Sequence, residues 1–70
     1  MTPAQQFGAN LARVREQRKL SQSQLARRVE VVDNYISRIE TGRAEPSFRL
    51  ILALATQLDV PPAELFHGIR

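Results

Sequence analysis

Residues 21–42, SQSQLARRVEVVDNYISRIETG, constrain the fold more than any other part of this chain. Ser21 and Gln24 have the spacing of a capping box, in which hydroxyl and amide satisfy each other's backbone N–H at a helix start. Leu25, Ala26 and Val29 then make the narrow apolar stripe of one short helix, and Ile36 and Ile39 make that of a second. Gly42, just past the second stripe, stands where a helix stops in a left-handed conformation. The β-branched pair Val31-Val32 interrupts the helical polarity pattern, which puts the corner at residues 30–32. The pattern leaves two solutions open: an ordinary helical hairpin in a small bundle, or a corner that presents the polar side of its second helix to a partner.

The flanking sequence reads as helix throughout. Thr2, Pro3 and Gln5 form a second capping box with proline at the first helical position. Phe7, Leu11 and Val14 follow on one face of a helix that ends near Arg18, and Leu20 tucks into the core. After Gly42, Pro46 disfavours helix before it and Ser47 caps the next one. Phe48, Ile51, Leu52, Leu54, Ala55 and Leu58 make that fourth helix strongly apolar, with Leu50 and Ala53 as additional apolar surface. Asp59-Val60-Pro61-Pro62 breaks it, and Pro62 opens a short fifth helix with Leu65 and Phe66 on its buried side and Gly68 at its end. The expected architecture is all-α, a single five-helix domain over residues 1–70 with short connections.

Composition narrows the function classes. The chain carries ten basic residues against seven acidic, a net charge of +3, and no cysteine. Disulfides and thiolate metal sites are excluded, and the lone His67 without clustered carboxylates makes no metal site. Arg13, Arg15, Arg18, Lys19, Arg27, Arg28, Arg38 and Arg43 all lie in the first 43 residues, opposed only by Glu16, Glu30, Asp33 and Glu40. That half suits a polyanion. The dominance of arginine favours phosphate contact, because the planar guanidinium grips oxyanions. No apolar run approaches the ~20 residues that span a bilayer. MTPAQQ has neither the charged start nor the apolar segment of a signal peptide, so the expected location is cytoplasmic. No Ser/His/Asp set, carboxylate pair, glycine-rich phosphate loop or metal-ligand cluster is present, so no enzyme, cofactor or metal is expected.

The chain resembles the phage repressor and Cro-like (XRE-type) helix-turn-helix family. The resemblance rests on Phe7-Gly8, Leu11, Arg15, Leu20-Ser21-Gln22, Leu25-Ala26, Val31, Tyr35-Ile36-Ser37-Arg38-Ile39-Glu40, Gly42, Pro46-Ser47, Leu58, Val60 and Glu64-Leu65-Phe66. It implies a lambda-repressor-like domain with the motif at about 21–42 as its second and third helices. Two positions depart from the family pattern. Glu30 replaces the usual glycine of the turn, and Val32 replaces the usual cap residue. Asp33 is then an alternative cap, which would start the third helix one residue late.

The resemblance further implies a transcriptional regulator, a repressor, that lays its third helix in the major groove of double-stranded DNA. By position, Val32, Asp33, Asn34 and Arg38 would contact bases: Val32 a thymine methyl, Asn34 adenine and Arg38 guanine. Asp33 would either accept from a cytosine amino group or be used for capping. Ser21, Gln22, Tyr35, Ser37 and Arg43 would contact phosphates. Arg15 and Glu40 would form an ion pair that orients the third helix. A two-fold symmetric operator calls for a homodimer, with Leu50, Ala53, Phe66 and Ile69 as its candidate interface. The rival expectation is a protein-interaction module on the same fold, antitoxin-like or adaptor, whose main work is to bind a protein partner.

Overall fold

The computed structural model describes residues 1–70. Five helices follow in order: α1 (Pro3–Gln17), α2 (Gln22–Arg28), α3 (Asp33–Glu40), α4 (Phe48–Leu58) and α5 (Pro62–Leu65). Side-chain caps set three of the starts. Thr2 Oγ1 accepts from the Gln5 N–H at 3.1 Å while Gln5 Oε1 accepts from the Thr2 N–H at 2.9 Å. Ser21 and Gln24 repeat this box on α2 at 3.0 and 2.8 Å. Ser47 Oγ caps α4 by accepting from the Leu50 N–H at 3.1 Å. Each such cap contributes about 1 kcal/mol.

Four helices stop by one device. At the end of α3 the Gly42 N–H donates to the Ile39 carbonyl and the Arg43 N–H to the Arg38 carbonyl, at 3.1 and 2.8 Å. These are the paired bonds of a Schellman motif, which requires a left-handed residue. Lys19-Leu20, Glu30-Val31 and Asp59-Val60 make the same pair of bonds after α1, α2 and α4. Only α3 fills the left-handed position with glycine; Lys19, Glu30 and Asp59 hold φ of 59, 61 and 57°. A side chain at such a φ costs roughly 1–2 kcal/mol. The corner expected at residues 30–32 therefore forms, with strain at Glu30.

α1 packs against α3 and α5, α2 against α3 and α4, and α4 against α5. The core gathers Phe7, Leu11 and Val14 from α1, Leu25 and Ala26 from α2, Ile36 and Ile39 from α3, Leu50, Leu54, Ala55 and Leu58 from α4, and Leu65 from α5. Gly8 is what lets α1 approach α3 so closely, since a Cβ there would lie 2.6 Å from the Glu40 carbonyl oxygen. Polar side chains complete the joints. Asn10 is buried and donates to the carbonyls of Leu65 and His67 at 2.9 and 2.8 Å, clamping α5 to α1. Arg18 donates to the Leu58 and Asp59 carbonyls at 2.7 and 3.2 Å, satisfying carbonyls that the Schellman bonds at the end of α4 leave free.

Three sequence expectations change. Leu50 is in the core, 8% exposed, while Phe48 is 76% exposed. The core-facing row of α4 runs through Leu50, Leu54 and Leu58 at four-residue steps, and Phe48, at the first position of the helix, points outward. α3 begins at Asp33 with Val32 in the cap position and no side-chain cap bond, so the later start with Asp33 as cap does not occur. α5 ends at Leu65, so Phe66, expected on its buried side, follows the helix and is partly exposed, and Gly68, whose φ of 80° turns the chain, lies beyond the helix end.

Candidate nucleic-acid interface

The position of α3 is fixed from both ends. Ile36 and Ile39 are fully buried and turn the opposite side of the helix to solvent. Asn34 and Arg38, one turn apart, are exposed on that side, and Asp33 is exposed at its start. Val32, extended at φ −77° and ψ 152°, is 70% exposed just before it. All four expected base-contact residues are thus exposed, Val32 and Asp33 at the start of α3 and Asn34 and Arg38 on its outward side. A half-buried Val31 packed against the core and the left-handed Glu30 set the angle at which the chain enters this face.

At the other end, Glu40 ties α3 to both preceding helices. Arg15 Nε and Nη2 donate to the two Glu40 carboxylate oxygens at 2.7 and 3.1 Å, a bidentate pair. Gln22 Nε2 donates to Glu40 Oε1 at 2.8 Å. Arg15 Nη1 also donates to the Leu20 carbonyl at 2.7 Å, in the α1–α2 connection. The Arg15 and Glu40 side chains are 11% and 6% exposed. The hydrogen bonds that Arg15 donates to Glu40 raise its pKa above the ordinary value, outweighing desolvation, which acts the other way. The guanidinium is a permanent cation beside a nearly buried carboxylate.

The expected phosphate-contact residues separate into two sets. Ser21 and Gln22 stand together at the start of α2, where free backbone N–H groups suit an anion. The Ser21 oxygen accepts the cap bond, leaving its O–H to donate, and Gln22 keeps one amide N–H beyond the one given to Glu40. Ser37 is half-buried on α3, and Arg43 is exposed past its end, with Nε 3.3 Å from Thr41 Oγ1. Tyr35 is turned differently. Its ring is half-buried against the core and its hydroxyl lies 3.4 Å from the Glu45 carbonyl, a long contact on the loop before α4.

One link was invisible in the sequence pattern. Ser23 Oγ donates to Asp33 Oδ2, from the first turn of α2 to the first residue of α3. The first turn of α2 therefore spans α3, Gln22 meeting its last residue and Ser23 its first.

The expected interface residues Leu50, Ala53, Phe66 and Ile69 do not form one patch. Leu50 and Ala53 line a groove of about 380 Å³ beside the α2–α3 corner, with Val29, Tyr35, Arg28 and Arg49. Phe66 and Ile69 line another of about 210 Å³ with Pro3, Phe7 and Ile51. Phe66 is 42% exposed and packs its ring on Phe7 at a centroid distance of 5.2 Å. Beyond these, Phe48 and Leu52 stand one turn apart on the outer face of α4.

The profile of a family described as "Helix-turn-helix domain" matches residues 6–67. The chain belongs to that family. Among solved structures it is similar to the restriction-modification controller protein C.AhdI from Aeromonas hydrophila, at 38% identity and TM-score 0.87, over 90% of this chain and 96% of that one. It is also similar to the clp gene regulator ClgR from Corynebacterium glutamicum, at 26% identity and TM-score 0.90, over 94% of this chain and 85% of that one. An HTH_3 family transcriptional regulator from Vibrio cholerae shares the fold at 22% identity and TM-score 0.85, this chain spanning 38% of its length. None of the curated proteins compared matches the sequence. The resemblance of the Tyr35–Gly42 block to the Cro-like family and the five-helix architecture agree with these neighbours. No helix of this helix-turn-helix domain is long and apolar enough to cross a membrane.

Proposed function

We propose that this helix-turn-helix domain is a sequence-specific transcriptional regulator that represses by occupying a two-fold symmetric operator as a homodimer. The observation that carries the reading is the outward face of α3, with Asn34 and Arg38 exposed on a helix whose far end is locked by Glu40 to Arg15 and Gln22. A preorganised helix of this kind enters the major groove with its N-terminal residues at base edges. Asn34 pairs with adenine and Arg38 with guanine, each bidentate contact discriminating by about 1–3 kcal/mol. Val32 meets a thymine methyl. Ser21, Gln22, Ser37 and Arg43 hold the backbone, and Tyr35 reaches it after releasing its contact with Glu45. The basic first half of the chain supplies the long-range attraction.

Two half-sites about one helical turn apart, ~34 Å, need two copies. The exposure of Phe48 and Leu52 on α4 and of Phe66 just after α5 supports α4 and α5 as the dimer surface. Ala53 lies in the separate groove beside the α2–α3 corner, and Leu50 contributes to the core instead. The same exposed face favours a second reading, a domain whose main partner is another protein. Selection of bound duplexes from a random pool at ~150 mM salt, followed by salt titration of the winner, tests the first reading. A palindromic motif with a steep salt slope is expected. Salt-sensitive binding to every sequence alike, with a stoichiometric protein partner in co-purification, would replace it with the second.

A further inference from the structure

Asp33 is the member of the α3 face that fits a DNA surface least well, because a carboxylate repels phosphates. It does not cap its own helix, since the cap position belongs to Val32, which makes no side-chain cap bond. Its carboxylate is held instead from outside the helix, with Oδ2 accepting the hydroxyl of Ser23. A serine hydroxyl has one proton to give, so this donor is committed. Oδ1 has no protein partner, and Asp33 is exposed at the first residue of α3.

We infer that Ser23 is a positioning residue that aims the Asp33 carboxylate, so that Asp33 reads a cytosine in each half-site. The inference rests on the operator-binding reading and adds a base identity and a residue on α2 to it. A carboxylate is an acceptor only, so it matches an exocyclic amine and opposes bare acceptors. In the major groove guanine offers N7 and O6 and thymine offers O4, all acceptors, and both are rejected. Adenine N6 lies between its own N7 and the O4 of its partner thymine, two acceptors that face a carboxylate unfavourably. Cytosine N4 has an acceptor on one side only, and it remains the best fit. Fixing Oδ2 on α2 removes the rotamers in which the carboxylate would swing toward a phosphate or clear of the groove. The hydroxyl also offsets part of the charge that the backbone phosphates meet.

The experiment repeats the duplex selection with the parent chain, Asp33→Asn, Ser23→Ala and Ser23→Thr, each checked for an unchanged melting temperature. The parent is expected to select cytosine at one symmetry-related pair of positions, by roughly 5- to 150-fold. Asp33→Asn, now donor and acceptor, should change that position to adenine and leave the others alone. Ser23→Ala should lose most of the cytosine preference there, while Ser23→Thr, which keeps the hydroxyl, retains it. A symmetric motif with no cytosine that follows Asp33 overturns the inference alone. So does a cytosine preference that survives Ser23→Ala. If no sequence is enriched by the parent, the operator reading and this inference fall together.

Discussion

Replacing Glu30 by glycine should make the domain more stable. Glu30 is left-handed at φ 61° because the α2–α3 corner needs it, and its N–H and that of Val31 close the C-terminus of α2 on the Arg27 and Ala26 carbonyls at 3.3 and 2.9 Å. The β-carbon strain there is roughly 1–2 kcal/mol. Glycine relieves it but gives up about 0.5–1 kcal/mol through the greater freedom of the unfolded chain. The net gain is about 0.5–1 kcal/mol, or about 2–8 °C in Tm for a domain of this size. Thermal unfolding followed by circular dichroism measures it. Glu30→Ala separates the causes, since it removes the carboxylate and keeps the β-carbon. The expected order of stability is glycine, then asparagine, which tolerates this region, then alanine level with the parent. A gain with alanine equal to that with glycine would refute the backbone argument and assign the effect to charge. A fall in Tm with glycine would refute it outright.

Other substitutions test the remaining joints. Glu40→Gln leaves Arg15 nearly buried without its counter-ion and should cost about 3 kcal/mol by denaturant unfolding, where an irrelevant pair would show no change. The raised Arg15 pKa means that its contribution is complete below the ordinary arginine value and lost only above the folded one, so this cost should be constant from about pH 7 to 10. Asn10→Ala strands the Leu65 and His67 carbonyls and should cost about 1–3 kcal/mol, with faster hydrogen exchange confined to α5 and its neighbours on α1. Phe48→Glu should convert the proposed dimer to monomer in analytical ultracentrifugation while leaving the folded monomer intact, because the side chain is 76% exposed; an unchanged sedimentation coefficient would place the dimer surface elsewhere.

What could be read from the sequence, and what could not, divides along a physical line. The capping boxes at Thr2 and Ser21 and the cap at Ser47 are local: both partners lie within three residues, so spacing reveals them. The corner at residues 30–32 was legible because β-branched residues break a helical pattern, even with glutamate where glycine was expected. Asn10 and Arg18 were opaque for the converse reason. Each bonds to backbone carbonyls forty or more positions away, and every residue carries a carbonyl, so the partner leaves no mark in sequence. The exchange of Phe48 and Leu50 arose because α4 is apolar nearly all round, and an all-apolar helix does not announce which side is inward. Arg15 and Glu40 were paired by family resemblance, since two charges 25 residues apart have no spacing rule. Ser23 looked like one more polar residue in the first turn of α2.

The anchoring of Glu40 has a bearing on engineering. The residues that hold α3, namely Ile36, Ile39 and Glu40 with Arg15 and Gln22, are different from those on its outward face. A new set of side chains can therefore be transplanted onto positions 32, 34 and 38 without disturbing the scaffold beneath them. Position 33 is the exception. Its neighbour Ser23 belongs to a separate helix, so a transplant limited to α3 would carry over the letter and leave behind the hand that holds it. Chimeras that move residues 23 and 33 as a unit should keep the donor's preference where single-helix grafts blur it.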